Sequence, residues 1–422
     1  MTRPLLILAS IVVLTGCTVA PNNNSASSSS PTPKAAPSAA PARESTAQVV
    51  TLPLLDALLT DDKFVEGLKS DLKFSDDQIQ SLKRVSSSEI DRLREINAEE
   101  SDGNGSDART RATTELNTIL GEEKTGQLIS FASDYWSRGG QSEGSTEDFE
   151  MLPGPNAVPI DTRVVVNIPA FRMDLFQDGT LIKSYQVGIG YPQFPLPQGL
   201  RKAQTVIFNP TWTPPDSPWV ASIKNVTPGE TVPAGDKNNP LGAIKIPIGL
   251  PSLIHGGKSP AKIGKFASHG CVGLTNNQVK DFAMLLSRAS NTELNEQTAA
   301  SYLKNKERTQ TVKLSKTVPV ELRYETIVLE DGKLHIYRDV YAQDTNTEEN
   351  LRKVLDALGV SFEDLSEQQR AEITSALKDV KKETVIDLSS VVQKGYPAPV
   401  DLDNGSGKKP ATDKTDRRKK RS

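Results

Sequence analysis

Val164-Val165-Val166-Asn167-Ile168, Phe171-Arg172-Met173-Asp174-Leu175-Phe176 and Asp178-Gly179 follow one another closely along the chain. The first two are runs of β-branched and aromatic residues, and the third is a dipeptide that favours a tight hairpin turn. Phe171, Met173 and Leu175 recur at every second position and so share one face of an extended strand. Leu181 to Gly190 reads as the returning strand. Short strands separated by Pro and Gly turns continue to about residue 275. Gln278 to Arg288 then reads as an amphipathic helix with Val279, Phe282, Ala283 and Leu286 inward. Val318 to Tyr324 and Thr326 to Leu329 are further strands, and the turn Glu330-Asp331-Gly332-Lys333 leads into Leu334-His335-Ile336-Tyr337. Residues 161–342 are therefore predicted to form a mainly antiparallel β domain.

The flanks are helical or unpatterned, so the expected fold class is α+β multidomain. Residues 51–138 carry apolar positions at helical spacing and a capping box at Ser75-Asp76-Asp77-Gln78. They read as a small helical hairpin or bundle. Over 61–150 there are 11 Lys/Arg against 21 Asp/Glu, read as a solvated acidic face with no metal-ligand pattern. Residues 139–160 read as a linker. Residues 343–395 return to helix, with a second capping box at Ser366-Glu367-Gln368-Gln369, and 396–422 read as a disordered basic tail.

The N-terminus reads as an export signal over residues 1–17. Arg3 precedes the apolar run Leu5 to Leu14, which is too short to span a bilayer stably. Leu14-Thr15-Gly16-Cys17 resembles the lipobox of bacterial lipoproteins, with Cys17 as the lipidated residue. Residues 18–50, rich in Ser, Pro, Ala and Asn, read as a disordered tether, roughly 30 Å across as a random coil. The expected location is the cell envelope, lipid-anchored and facing the periplasm. No Asp follows Cys17, which favours the outer membrane in a Gram-negative cell. A net charge of −3 gives no reason to expect nucleic acid as a partner. The final basic run suits anionic lipid or wall polymer, or serves only solubility.

Cys271 is the only cysteine besides Cys17. A lone thiol in an exported protein is a liability unless buried or used. Its setting points to use. Two of the three histidines, His255 and His269, lie sixteen and two residues before it, in Ile254-His255-Gly256-Gly257 and Ser268-His269-Gly270-Cys271-Val272-Gly273. A thiol attacks as thiolate, which needs a base or a positive field nearby. Glycines beside it permit a turn that presents the sulfur and aims backbone N–H groups at a substrate oxygen.

The combination Ile254-His255-Gly256 and Ser268-His269-Gly270-Cys271 resembles the signature of the L,D-transpeptidase catalytic domain, also called the YkuD domain. Asn209-Pro210-Thr211-Trp212-Thr213-Pro214-Pro215 and Asn239-Pro240-Leu241-Gly242 are similar to two further segments of that family. The resemblance implies a YkuD-like β-sandwich over 161–342 and thioester chemistry on peptidoglycan stem peptides without a cofactor. Cys271 would attack the third stem residue, and an amine of a neighbouring stem would resolve the thioester into a 3→3 crosslink. It implies His255 as the base, with His269 the alternative. Gly256 would orient the imidazole through its carbonyl, and Ser268, His269 and Gly270 would shape the turn. Trp212, Gly273 and Asn276 would line the substrate groove. Many members carry Arg or Asn where this chain has Gly273, which leaves the acyl donor or acceptor open. Resolution by water or by a protein lysine, and a non-enzymatic wall-binding role, are the other readings. Zinc held by Cys271 and two histidines lacks a fourth ligand, so no metal is expected. Envelope-protein partners, if any, fall to the helical regions.

Overall fold

The computed structural model describes residues 49–405 except 97, 99–102, 104, 138–148, 216–219, 221–222, 250–251, 381 and 393. The expected signal segment with Cys17, most of the tether and residues 406–422 lie outside the described residues.

The helical region holds α1 (Leu52–Leu58), α2 (Asp62–Ser70), α3 (Asp76–Glu95), α4 (Gly105–Leu120) and α5 (Glu122–Ser137). The Ser75 box forms as read: Ser75 Oγ accepts the Gln78 N–H at 3.2 Å, and Gln78 Oε1 accepts the Ser75 N–H at 3.1 Å. Such a cap stabilises a helix start by about 1 kcal/mol. Gly121, at φ +79°, separates α4 from α5 where a left-handed residue is needed. Leu55, Phe64, Leu68, Leu82, Leu116 and Leu128 are buried in one cluster. Thr51 Oγ1 caps α1 and donates to the Gln193 carbonyl at 2.7 Å, tying the region to the β domain.

The β domain is a large curled sheet, mostly antiparallel. Its strands are β1 (Arg163–Asn167), β2 (Arg172–Gln177), β3 (Thr180–Gln186), β5 (Gly199–Phe208), β6 (Ile244–Pro247), β7 (Leu253–His255), β9 (Val272–Gly273) and β10 (Gln310–Arg323). They lie in the order β3-β2-β1-β10-β5-β6-β7-β9, with only β1/β10 and β7/β9 parallel. The short β4 (Ile189–Gly190) and β8 (Phe266–Ser268) form a parallel pair of their own. Val164, Val166, Met173, Leu175, Val320 and Leu322 project from one face onto α6 (Asn276–Ala289) through Val279, Phe282 and Leu286. Each such side chain contributes roughly 1.5–3 kcal/mol when fully buried. α7 (Glu296–Lys304), capped by Asn295, was not read from the sequence.

The other face of the sheet is charged. Arg172 lies between Asp174 (Nε–Oδ1 2.8 Å) and Glu330 (Nη1–Oε1 2.5 Å), and Glu321 bridges Arg163 and Arg323. Burial of this kind is tolerable only when each charge is paired.

Four expectations differ from the structure. The hairpin β11 (Ile327–Glu330) and β12 (Lys333–Ile336), read as part of the 161–342 domain, belongs to a separate three-stranded sheet. Its third strand is β13 (Thr384–Asp387), in the region read as purely helical. Leu329, Leu334 and Ile386 bury one face of that sheet against α8 (Glu348–Asp356) and α9 (Glu367–Lys378), a core the β domain does not supply. In the stretch read as linker, buried Asn156 accepts the Leu329 N–H at 2.7 Å and donates to the Ile327 carbonyl at 3.0 Å. In the stretch read as disordered tail, Tyr396 packs edge-on against Phe176. Residues 400–403 then hydrogen-bond along Ser184 and Gln186, covering the otherwise open edge of β3.

Candidate active site

The thiol and the imidazole are brought together by a two-strand pairing. β7 and β9 run parallel with Ile254 opposite Val272 and His255 opposite Gly273. Ile254 and Val272 are fully buried and point into the core. Strand alternation therefore turns His255, Gly273 and the preceding Cys271 to the other face. The same register sets Cys271 beside Leu253, one step diagonally from His255. Cys271 is partly exposed rather than sealed in hydrocarbon.

The turn before the sulfur is stapled by one side chain. Ser268 Oγ accepts the Cys271 N–H at 3.0 Å and donates to the Cys271 carbonyl at 2.6 Å. Gly270 takes φ +92°, the left-handed backbone that a side chain disfavours, and its carbonyl accepts from Ser252 Oγ at 2.8 Å. The Cys271 N–H is thus engaged with Ser268 rather than directed at a ligand.

His255 is buried, with Nδ1 2.7 Å from the Gly256 carbonyl, and the Leu241 carbonyl also contacts the ring. Gly256 is pressed against α6: a Cβ there would lie 2.6 Å from Asn276 Oδ1 and 2.8 Å from Val279 Cγ1. Burial, helped by the positive charges of Lys258 and Lys245, outweighs the two carbonyls and pushes the imidazole down to about 3. Desolvation also pushes the Cys271 thiol up, partly offset by a backbone bond from Leu253 and by Lys258. The resting pair is therefore a neutral thiol beside a neutral imidazole.

The other sequence-derived candidates have varied surroundings. His269 packs edge-on against Phe194, with ring centroids 4.4 Å apart, and against Tyr191. Asn276 Oδ1 accepts the N–H groups of Ala243 (2.9 Å) and Gly257 (3.0 Å), holding the loops on either side of His255. Trp212 is mostly buried in a small cluster with Val232 and Leu241, so it supports the loop wall rather than standing open to a groove. Gly273 is buried beneath the side chain of Lys258. His335 lies on β12, where Nδ1 contacts Glu383 Oε1 at 2.6 Å. Asn209, at positive φ, donates to the carbonyls of Tyr302, Asn305 and Arg308, and Asn239 donates to the Pro210 carbonyl. Lys258, Ser252 and the Leu241 and Leu253 backbones border the site without having been read from the sequence. Strand pairing, which spacing does not encode, brings them there.

Residues 161–299 match the family model described as the YkuD L,D-transpeptidase catalytic domain. This segment is a YkuD domain. Its central strand β10 comes from beyond the matched segment and inserts between β1 and β5. The chain is 31% identical over 122 residues to a probable L,D-transpeptidase ErfK/SrfK of Escherichia coli (strain K12). That match covers 28% of this chain and 38% of the length of the curated relative. Similar solved structures include an L,D-transpeptidase from Mycobacterium smegmatis, at 16% identity and a TM-score of 0.24, over 39% of this chain and 58% of that one. The catalytic domain of the E. faecium L,D-transpeptidase is similar at 17% identity and a TM-score of 0.25, over 39% of this chain and 98% of that one.

Proposed function

We propose that the YkuD domain of this chain is a cysteine L,D-transpeptidase acting on peptidoglycan stem peptides. The observation that carries the reading is the β7/β9 register, which sets Cys271 and His255 on one face, with Cys271 partly exposed and His255 buried. With Nδ1–H donated to the Gly256 carbonyl, Nε2 holds the lone pair and serves as general base. Because both groups rest neutral, the proton leaves sulfur as the sulfur attacks. The S–C bond forms at the carbonyl of the third stem residue. The C–N bond to the terminal D-Ala breaks, and the imidazolium returns the proton to the leaving amine. The side-chain amine of a second stem then takes the acyl group, closing a 3→3 crosslink and freeing the thiol. His269, wedged between aromatic rings, is less suited to the base role.

Incubation with a carbapenem or a disaccharide-tetrapeptide, followed by intact-mass measurement, tests the reading. An adduct present in the wild type and absent in Cys271→Ala supports it. Muropeptide analysis then separates 3→3 dimers from the tripeptides that water as acceptor would leave. Lipidation of Cys17 and an envelope location facing the periplasm belong to the same proposal. A diacylglycerol mass on the mature N-terminus is expected, and an unmodified cleaved terminus would refute the anchor.

A further inference from the structure

Gly190 of β4 lies opposite Ser268 of β8, and the next residue, Tyr191, donates its N–H to the Ser268 carbonyl at 2.9 Å. Ser268 staples Cys271, so the chain leaving β4 runs against the nucleophile turn. A Cβ on Gly190 would fall on the Phe194 carbonyl, 3.0 Å from the Leu196 nitrogen and 3.1 Å from the Gly270 nitrogen. The chain therefore doubles back over Gly190 into a loop, 191–196, wedged against that turn. From this loop the Phe194 ring packs on His269, and the Pro195 carbonyl lies 3.7 Å from where a Gly270 Cβ would be.

One hydroxyl closes the neck of the loop. Tyr341 Oη accepts the Leu196 N–H at 3.0 Å and donates to the Gly190 carbonyl at 2.9 Å. The Tyr341 ring is buried and stacks on Phe266 and Tyr324, and its backbone N–H donates to Tyr324 Oη at 2.6 Å. Desolvation raises the phenol, so the hydroxyl keeps the proton that it donates. The helical region reaches this arrangement at two points. Gly105, at the start of α4, is pressed on the Tyr341 backbone, where a Cβ would lie 2.9 Å from the carbonyl carbon and oxygen. Thr51 Oγ1 donates to the Gln193 carbonyl within the loop at 2.7 Å. Thr51, Gly105 and Tyr341 all lie outside the segment 161–299 that matches the family model.

We propose that Tyr341 is a positioning residue for the nucleophile: its hydroxyl fixes loop 191–196, the loop fixes the Ser268–Cys271 turn, and Thr51 locks the loop from the helical region. The helical region is then part of what aims the sulfur rather than a remote appendage. The inference rests on the transpeptidase reading for the reaction of Cys271, but not for the placement of the turn.

The test compares the full chain as wild type, Tyr341→Phe, Thr51→Val and Thr51→Ser. Acylation of Cys271 by a carbapenem is followed by intact mass over a concentration series. The maximal rate in Tyr341→Phe is expected to fall roughly tenfold or more, because a misplaced nucleophile loses reactivity steeply. The half-saturating concentration stays as in wild type. Alkylation of Cys271 by iodoacetamide, a small reagent that needs no such alignment, also stays as in wild type. A general loosening of the fold would change alkylation as well. Thr51→Val is expected to lower the maximal rate in the same way, and Thr51→Ser, which keeps the hydroxyl, to restore it. Hydrogen exchange of the Gly270 and Cys271 amides is expected to quicken in Tyr341→Phe while β1 and β2 are unchanged. A wild-type maximal rate in Tyr341→Phe, or acylation and alkylation changing together, would overturn the inference and leave the transpeptidase reading intact. A wild type that is alkylated but never acylated would overturn that reading. Exchange then decides the inference: quicker exchange at Gly270 and Cys271 in Tyr341→Phe sustains it, and unchanged exchange overturns it.

Discussion

Ser268 and Cys271 are joined twice: one hydroxyl accepts the cysteine N–H at 3.0 Å and donates to the cysteine carbonyl at 2.6 Å. Among the described residues, no other side-chain contact fixes the backbone of the sulfur-bearing residue on both sides. Ser268→Ala removes both bonds. Stability is expected to fall by about 1–2 kcal/mol, since each net bond is worth about 1 kcal/mol. Acylation of Cys271 is expected to fall by one to two orders of magnitude while the fold survives, because a misplaced nucleophile loses reactivity steeply. Thermal melts and adduct-formation rates on the same preparation read the two effects separately.

Gly256 stands between His255 and α6. A methyl group there would press on Asn276 Oδ1 and Val279 Cγ1. Overpacking of this kind costs about 1–3 kcal/mol, and the relief available is displacement of the loop that orients the imidazole. Gly256→Ala is expected to lower the melting temperature and depress acylation, whereas Gly126→Ala, at a helical glycine with open space around it, should do neither.

The imidazole makes stability pH-dependent. His255 titrates near 3 in the fold and near 6.5 when unfolded. Between those values the unfolded chain binds the extra proton. Its contribution is therefore fully present above pH 6.5 and is lost as pH falls, by up to about 1.4 kcal/mol per pH unit. Urea titrations from pH 7 to pH 4 are expected to show this slope in wild type and a shallower one in His255→Gln. Because the thiol is raised, alkylation of Cys271 should climb with pH through a midpoint above that of an ordinary cysteine, without a second inflection near 6.5.

How much of this was legible in the sequence varied with the kind of interaction involved. The hairpin of β1, β2 and β3 was readable because alternation and the Asp178-Gly179 turn are local. The thiol and its histidine were readable because the chain has so few of either. β13 was not: four residues with one buried side chain carry no alternation, and only its pairing with β12 makes it a strand. Tyr396 and Asn156 sit in stretches whose composition resembles linker, and long-range contacts order them: Asn156 bonds to Ile327 and Leu329, and Tyr396 packs on Phe176 and bonds to Leu329.

Arg172 links the charged face of the sheet to the C-terminal sheet through Glu330. Glu330→Ala removes one of its two carboxylate partners in a buried setting, and breaking such a pair costs about 3–5 kcal/mol. Hydrogen exchange is expected to rise first in β11 and β12, far from Cys271. Destabilisation below about 1 kcal/mol would mean the pair is solvated and contributes little.

The central claim is that Cys271 is a nucleophile served by His255, and the most direct measurement is intact-mass detection of acylation by a tetrapeptide stem donor. Expected is a single thioester adduct, with D-Ala released, that is absent in Cys271→Ala and strongly slowed in His255→Gln. A folded wild-type protein that stays unmodified, or an adduct that persists in Cys271→Ala, would contradict it.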